Sequence, residues 1–158
     1  MNQLNKLKWA TPNDHAELAD VIFDAVRNGP SLYTEAQRAA WMPERRSGAV
    51  WDARLAGKDI VVGRDGARIL GLMSIESGGY IDFAFIRPEA QGSGLFRALF
   101  GMVEAHARAA GELRLWVHAS LRAQPAFAAV GFGVVEHQVA QIGDQDFKRA
   151  YMEKPLSP

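Results

Sequence analysis

The segment between residues 80 and 120 constrains the fold more than any other part of the sequence. The apolar run "YIDFAFI" ends at a proline turn, the glycines of "QGSG" follow, and the amphipathic stretch "LFRALFGMVEAHARAAG" leads to a second apolar run, "ELRLWVHAS". A strand, a helix and a strand of these lengths predict two parallel strands joined by a right-handed crossover. We expect the helix to pack on the sheet, because Leu95, Leu99, Val103 and Ala107 recur every fourth residue.

The flanking sequence predicts helices before this unit and antiparallel strands around it. "TPNDHAELADVIFDAVRNG" and "TEAQRAAW" open with capping patterns at Thr11 and Thr34, and "AVWDARLAG" is a third, short helix. Residues 59–86 are typical of a three-stranded antiparallel meander, because "RDG" and "SGG" favour turns. A short helix, "RAQPAFAAVGF", and two closing strands end the chain. We therefore expect a mixed α/β fold with helices on both faces of the sheet, in one domain over residues 1–158.

Composition and charge exclude several function classes. Eighteen Lys and Arg balance eighteen Asp and Glu, so no overall field favours a nucleic-acid or membrane partner. The absence of Cys excludes disulfides, thiolate metal sites and a cysteine nucleophile, and fits a reducing compartment. The segment "MNQLNKLKWATPND" lacks a signal-peptide core, and no membrane-length apolar run occurs, so we expect a cytoplasmic protein. No metal is expected, because His15, His106, His118 and His137 lack metal-ligand spacing.

The glycine-rich turn before the crossover helix is a candidate anion site. Glycines let backbone N–H groups approach a ligand closely, and the free amides of a first helical turn attract negative charge. A triphosphate-binding P-loop is disfavoured, because no Lys occurs between Lys58 and Lys148. A dinucleotide site is a weak alternative, since the third glycine of the dinucleotide motif is missing and no acid follows the next strand. A tight turn without a ligand also remains open.

The turn and its flanks resemble the GNAT superfamily of N-acetyltransferases. The acyl-CoA pyrophosphate loop of that family has the pattern Q/R-x-x-G-x-G/A, and Gln91 and Gly94 fill its first and fourth places. "YTEAQRAAW", "GGYIDFAFIRPE" and "ASLRAQPAFAAVGF" are similar to a branch of small bacterial acetyltransferases. The resemblance covers nearly the whole chain and implies a central, mostly antiparallel sheet with one splayed parallel pair and helices on both faces.

The resemblance implies direct transfer of an acetyl group from acetyl-CoA, as co-substrate, to an amine. By position in the family pattern, it places these residues around the acyl-CoA: Phe85, Ile86, Gln91, Gly92, Ser93, Gly94, Leu95, Phe96, Ser120 and Phe127. Two of them depart from the pattern. Phe96 replaces the small residue at the last place of the loop, and Phe127 stands where many relatives have a Tyr that protonates the departing thiolate. Ser120 stands where many relatives have Asn, and capping the following helix is its alternative role.

A neutral amine is the attacking species, so a base is expected near the splayed strands. Asp82 is the first candidate, because it is a carboxylate in an otherwise apolar strand, and burial there is expected to raise its pKa. A structural role, orienting a loop or helix by hydrogen bonds, is its alternative. Glu76, near the end of the preceding strand, is the second candidate, with a solvated position as the alternative.

Tyr33, Gln37 and Trp41 are spaced four apart and are candidates for an acceptor pocket, with core packing as the alternative. The "ERR" at residues 44–46 is either a solvated loop or a group that steers an acidic acceptor. The expected partner is a small-molecule or peptide amine, and a homodimer is left open. Two other functions stay open: an acyl-CoA-binding regulatory module without transferase activity, and a nucleotide-binding oxidoreductase.

Overall fold

Eight strands form two four-stranded sheets that meet at residues 80–86. The structure is a computed structural model that describes residues 6–157; residues 1–5, which belong to the segment searched for an export signal, and Pro158 lie outside the described residues. The strands are β1 (Lys6–Trp9), β2 (Asp59–Asp65), β3 (Arg68–Ile75), β4 (Tyr80–Ile81), β5 (Ala84–Ile86), β6 (Arg114–Ser120), β7 (Gly133–Ile142) and β8 (Gln145–Pro155). The first sheet has the order β1-β2-β3-β5, and the second has the order β4-β6-β8-β7.

Five helices complete the fold: α1 (His15–Asn28), α2 (Glu35–Trp41), α3 (Gly48–Leu55), α4 (Leu95–Ala109) and α5 (Ala123–Ala129). The predicted capping box of α2 is present, since the Thr34 N–H donates to the Gln37 Oε1 at 2.7 Å and the Gln37 N–H donates to the Thr34 Oγ1 at 3.1 Å. The segment predicted to begin one long helix at Thr11 instead forms a short 3-10 turn over Pro12–Asp14 before α1. None of the helices in residues 6–157 is long and apolar enough to span a bilayer.

The predicted parallel crossover is confirmed. β4 pairs in parallel with β6, with Tyr80 opposite Trp116 and Ile81 opposite Val117, and α4 lies between them in the chain. The stripe predicted from sequence is the buried face of α4, and all four of its side chains are at most 2% exposed: Leu95, Leu99, Val103 and Ala107. The remaining strand pairs are antiparallel, as expected for a mostly antiparallel α/β fold with one parallel pair.

Apolar clusters on both faces of the first sheet hold the helices. One cluster joins α4 to residues of both sheets, and the other joins α1 and α3 to the opposite face of β2 and β3. Glycines fix how closely α4 approaches: a Cβ on Gly71 would lie 2.7 Å from the Ile86 side chain and 3.0 Å from that of Leu95. Because both contacts are tighter than normal packing allows, Gly71 is needed to seat the first turn of α4 on the sheet.

The predicted meander is wrong in its third strand. Residues 80–86 are not one strand: β4 belongs to the second sheet and β5 to the first, with a break at Asp82 and Phe83. The Ser74 side chain causes the break, because its Oγ accepts from the N–H groups of Asp82 at 3.1 Å and Phe83 at 2.8 Å. Two successive N–H groups on one hydroxyl replace regular ladder pairing and redirect the chain, as in a β-bulge.

The sequence analysis also missed β1. Lys6–Trp9 alternates exposed with half-buried positions and pairs with β2, from Lys6 opposite Arg64 to Trp9 opposite Val61. The alternation of Lys and apolar residues in "KLKW" was the available signal, but four residues are too short to separate a strand from a loop by periodicity.

Candidate active site

A cavity of about 560 Å³ opens between β5 and β6, beyond Ile81 and Val117, which are the last parallel pair of β4 and β6. Its wall includes Phe85 and Ile86 from β5 and Ser120 from the end of β6. Side chains from α4 and α5 line one part, and residues of α1 and α2 line another. The cavity therefore reaches from one helix layer to the other through the gap between the strands.

Most of the residues expected to surround an acyl-CoA lie on the wall of this cavity. They are Phe85, Ile86, Gln91, Gly92, Gly94, Leu95, Phe96 and Ser120. Ser93 and Phe127 do not line the cavity. The Ser93 hydroxyl donates to the Ala90 carbonyl at 2.5 Å and closes the turn, so its role is structural.

The glycine turn presents open space to the cavity. Gly92 and Gly94 have φ values of 78° and 90°, and a Cβ placed on either residue would meet no heavy atom within 4 Å. Gly94 is the N-cap of α4, and the amides of the first turn have no acceptor within the helix. The turn therefore offers backbone donors and a helix dipole to an anion that enters the cavity.

Arginines beside the turn were missed by the sequence analysis. Arg97, in the first turn of α4, and Arg122, before α5, both line the cavity. The Arg122 Nη2 donates to the Gln91 Oε1 at 2.9 Å, and the Gln91 Nε2 donates to the Ile86 carbonyl at 3.3 Å. Gln91 thus ties the end of β5 to the start of α5. The available signal was the position of Arg97 three residues after Gly94; its Nη2 donates to the Ala129 carbonyl at 3.3 Å, at the end of α5.

The two Phe residues that depart from the family pattern contact each other. The Phe96 and Phe127 rings meet edge to face with centroids 5.1 Å apart, and Phe127 meets Phe132 in the same way at 5.0 Å. Phe127 is only 1% exposed, so it is a core residue and not a cavity residue. Phe96 is partly buried against the same core, which turns its ring toward α5 and leaves the space above Gly94 open.

The position of Ser120 is compatible with both of its expected roles, contact with a bound acyl-CoA and capping of α5. It lies on the cavity wall, and its Oγ accepts from the N–H of Ala123, the first residue of α5, at 3.4 Å. The hydroxyl can donate to a ligand while it accepts from this amide, because one group provides both functions.

Tyr33 and Trp41 line the cavity, but Gln37 does not. Tyr33 lies before α2 and not on it. Its hydroxyl donates to the Lys148 carbonyl at 2.5 Å and accepts from the Leu121 N–H at 3.3 Å. Burial raises the pKa of Tyr33, against the lowering influence of the Leu121 amide and of Arg149. Gln37 caps α2, and its Nε2 donates to the Asp146 carbonyl at 2.5 Å, so its side chain is engaged away from the cavity wall.

The environment of Asp82 contradicts the expected rise in its pKa. One Asp82 oxygen lies 2.5 Å from the Arg54 Nη1 and 3.4 Å from the Lys58 Nζ. Burial acts to raise the pKa of Asp82, but the hydrogen bonds and charges of Arg54 and Lys58 outweigh burial and hold it below its usual value. Asp82 is therefore an ionised partner of two cations, and it lies outside the cavity wall.

Glu76 also lies outside the cavity wall and pairs with the same lysine. Its Oε2 is 3.5 Å from the Lys58 Nζ, and this oxygen is buried without a hydrogen-bond partner among the described residues. Glu76 is partly buried rather than solvated, because it forms a bridge with Tyr80 across the turn that precedes β4. It contributes to the charge balance around Asp82.

The face of the second sheet that points away from α4 carries a group of aromatic and titratable side chains. Alternate residues of β6 and β8 pack against α4, so the intervening ones point the other way. We call this surface the open face; it consists of Tyr80, Asp82, Trp116, His118, Arg149 and Tyr151. The Tyr80 and Trp116 rings stack with centroids 4.2 Å apart, and His118 lies 5.7 Å from Tyr151. Burial and the charges of Asp82 and Glu76 raise the pKa of Tyr80 to about 12.

His118 is a partly buried imidazole on the open face, and like Asp82 it lies outside the cavity wall. Val117 is the last β6 residue paired with β4, so His118 lies directly beyond that pair, where the strands begin to part. Burial and the charge of Arg149 lower the pKa of His118, outweighing Gln138 and Asp82, which raise it. Its Nδ1 is buried without a hydrogen-bond partner among the described residues. No sequence signal distinguished His118, because a His on a strand is usually a packing residue.

Arg149 lies on β8 directly opposite Ser120, a residue of the cavity wall. Its Nε donates to the Gln138 Oε1 at 3.2 Å. No carboxylate of residues 6–157 lies within ion-pair distance of Arg149. No group of three His, Asp or Glu in the described part of the chain has the arrangement of a metal site.

Comparisons with known proteins agree with this geometry. The family model described as "Acetyltransferase (GNAT) domain" matches residues 31–147. No match was found among curated proteins. A GCN5-related N-acetyltransferase from Rhodopseudomonas palustris has a TM-score of 0.88 at 24% identity, over 99% of this chain and 98% of that chain.

Other solved structures share the fold at lower similarity. A phosphinothricin acetyltransferase from Sinorhizobium meliloti, in complex with AcCoA, has a TM-score of 0.74 at 20% identity, over 98% of this chain and 89% of that chain. The acetyltransferase yncA from Salmonella typhimurium, with acetyl-CoA, has a TM-score of 0.69 at 18% identity, over 99% and 96%. At these identities the likeness establishes the fold, and the family match covers well over half of the sequence. The chain therefore belongs to the GNAT acetyltransferase family.

Proposed function

We propose that this protein transfers an acetyl group from acetyl-CoA to a primary amine of a small molecule or peptide. One observation carries the proposal: a cavity passes between two diverging parallel strands and has a glycine turn with free amides at one end. Two of the structural neighbours hold acetyl-CoA in the same fold, which supports the choice of donor. The cavity is within the range of about 300–1,000 Å³ that is typical of small-molecule sites.

The residues around the glycine turn fit the phosphates of acetyl-CoA. The space around Gly92 and Gly94, beside the first turn of α4, is open, and Arg97 and Arg122 add two positive charges at the cavity wall. Hydrogen bonds to charged groups contribute roughly 1.5–3 kcal/mol each, so a few of these donors hold a pyrophosphate without a basic protein surface. Along the gap, Phe85 and Ile86 line one side of the space for the pantetheine arm, and Ser120 lines the other.

The bound donor supplies an activated acetyl thioester. The amine nitrogen forms a bond to the acetyl carbon, the carbon–sulfur bond breaks, and the amine proton passes to a base. A Lys-like amine with a pKa near 10.4 needs about 4–5 kcal/mol to lose its proton at pH 7, so a base beside the reacting atoms lowers the barrier.

We assign the proton to His118 rather than to Asp82. His118 is neutral at pH 7 because burial and the charge of Arg149 lower its pKa, and a neutral imidazole accepts a proton at one ring nitrogen. Asp82 is the weaker base because Arg54 and Lys58 stabilise its ionised form. Asp82 instead holds these two cations at the edge of the open face, and Glu76 assists at Lys58.

No protein acid is required for the departing sulfur. Phe127 is buried and has no proton to give. A CoA thiol has a pKa close to that of free Cys, about 8.5, so the thiolate leaves readily and water protonates it.

Calorimetry and a thiol-release assay test the proposal. Acetyl-CoA should bind the purified protein with measurable heat, whereas NAD(P) should not change its fluorescence. A panel of primary amines should then release free CoA thiol from acetyl-CoA. Absence of heat at high micromolar acetyl-CoA would refute the proposed donor.

A second candidate function is an acyl-CoA-binding regulatory module, favoured by the replacement of the family acid with a buried Phe127. In that case, acetyl-CoA binds but no amine of a broad panel releases thiol. The thiol assay therefore separates the two candidates once binding has been measured.

A further inference from the structure

We propose that the acceptor is an amine that also carries an anionic group, a carboxylate or phosphonate, and that Arg149 on the open face binds this group. The inference rests on the proposed acetyltransferase function and names the class of acceptor for the same site. Three features support it: the free guanidinium edge of Arg149, the excess of positive charge around the open face, and the position of Arg149 relative to the cavity and His118.

Only the Nε atom of the Arg149 guanidinium has a hydrogen-bond partner among the described residues. Its Nε donates to Gln138, which in turn donates through its Nε2 to the Glu136 Oε1 at 2.8 Å. Within residues 6–157, neither Nη atom of Arg149 has a hydrogen-bond partner. Arg149 is only partly exposed, so its orientation is fixed by Gln138 while the two-nitrogen edge stays free. Such an edge matches the two oxygens of a carboxylate or phosphonate.

Arg149 adjoins the cavity wall without being part of it. It faces Ser120 of the cavity wall across the β6–β8 pair, and directly opposed residues have Cβ atoms about 4.5–5.5 Å apart. Its charge affects the pKa of Tyr33, of Tyr80 and of His118, which surround the point where the strands part. An acid bound by Arg149 therefore leaves an attached amine next to His118 and the end of the cavity.

Positive charge exceeds negative charge around this point. Asp82 and Glu76 are shared by Arg54 and Lys58, so both carboxylates are already neutralised. Arg46 adds a further cation: burial and the charge of Arg54 lower its pKa, and no carboxylate in the described chain lies within ion-pair distance. Within residues 6–157, Arg149 and Arg46 thus have no paired carboxylate, whereas Glu136, which accepts from Gln138, has no paired cation. One positive charge remains in excess, and it favours an anionic acceptor over a polyamine or a simple cationic amine.

Matched acceptor pairs test the proposal with the full chain. The panel consists of α-amino acids, each with its own amide, and aminoalkylphosphonates with their neutral esters. The amine of an amino-acid amide is less basic than that of the acid, so a preference for the acid does not come from a larger neutral fraction. We expect kcat/KM for a preferred acid to exceed that of its neutral partner by roughly tenfold to a hundredfold, the range of a charge-assisted hydrogen bond.

Arg149 variants locate the effect. Arg149→Met should remove the preference mainly through a higher KM for the acid, and Arg149→Lys should retain part of it because the charge remains. Arg68→Gln is the matched control, because Arg68 is an exposed arginine on β3 that pairs with Glu89. It should leave the preference unchanged. Retained acetyl-CoA binding and an unchanged melting temperature show that each variant is folded.

Acceptor binding without turnover separates this inference from the proposed function. With CoA in place of acetyl-CoA, calorimetry should detect an acid from the panel and not its neutral partner. If no acid binds or reacts better than its neutral partner, or if Arg149→Met keeps the preference, the inference is overturned. If acids bind through Arg149 but no thiol is released, the anion site stands and the transferase proposal fails.

Discussion

His118 is the side chain whose protonation state matters most for the proposed reaction. Because its pKa is lowered, the neutral form dominates above about pH 6.5, the ordinary value, and the protonated form accumulates only below it. In the wild type, kcat/KM should therefore fall at acidic pH. His118→Gln should lower kcat/KM about 100-fold or more, the usual contribution of a general base, and should abolish this acidic limb.

The matched control for His118 is His137→Gln, which changes an exposed histidine on β7. It should leave both the rate and the pH profile unchanged. An acidic limb that persists in His118→Gln would assign the proton to another group.

Asp82 should prove structural in a comparison of stability with activity. Asp82→Asn leaves Lys58, whose side chain is 7% exposed, without its full counter-charge. The free energy of unfolding should fall by about 1–2 kcal/mol. The loss is limited to this range because Arg54, the other partner of Asp82, is partly solvated. The pKa of Asp82 is lower in the folded chain than in the unfolded chain, so its contribution is present above about pH 4 and is lost as the pH falls through the folded pKa. Denaturant titrations at several pH values measure this.

Asp20→Asn is the control for Asp82, because Asp20 pairs with Arg45 at an exposed site and should contribute less than about 0.5 kcal/mol. Turnover by folded Asp82→Asn should stay within a few-fold of the wild type. A loss of rate comparable to that of His118→Gln would restore Asp82 as the base.

Core packing around Phe127 prevents this position from reaching the cavity. The family tyrosine is replaced by a ring held between Phe96 and Phe132. Phe127→Tyr should not raise kcat, because its hydroxyl would be buried away from the cavity. It should lower stability by about 1–3 kcal/mol, the cost of an unpaired buried hydroxyl. A thermal melt and a rate assay test both statements, and a rise in kcat would show that the ring can turn into the cavity.

At the scale of elements, the turn before α4 joins backbone geometry to ligand binding. Gly94→Ala places a Cβ at φ 90°, which should cost about 1–2 kcal/mol of stability and weaken acetyl-CoA binding, because the methyl group fills the open space at the helix start. Gly101→Ala is its control: it lies inside α4 with equal free space, and should stabilise the fold by about 0.5–1 kcal/mol without changing the affinity.

The strands show where sequence reasoning succeeded and where it could not. The hydrophobic period and the length of the segments sufficed to predict α4 and the parallel crossover, because the apolar stripe of α4 and the strand β6 are both long. The division of residues 80–86 into β4 and β5 depends on one hydroxyl, that of Ser74, which is fully buried and lies on the preceding strand, eight residues before Asp82 and nine before Phe83. Nothing in a local window signals such a contact.

In the candidate site, too, some residues could be predicted from the local sequence and others could not. The glycine turn and the adjoining part of the cavity wall were predictable because one contiguous segment, residues 85–96, carries them. His118 and Arg149 were not, because they become neighbours of the gap only when β8 pairs with β6 and places Arg149 opposite Ser120. The expected high pKa of Asp82 failed for a related reason, since its cationic partners come from α3 and the loop that follows.

At the scale of the whole molecule, the gap between β5 and β6 has a kinetic consequence. The cavity is lined on one side by α4 and α5, and the open face adjoins its other end. Two substrates that approach from opposite faces of a sheet can be bound at the same time, because neither has to leave before the other enters. The chain also contains no cysteine to carry an acyl group between them. Double-reciprocal plots should therefore intersect, as they do for a ternary complex, and [¹⁴C]acetyl-CoA alone should leave no label on the protein.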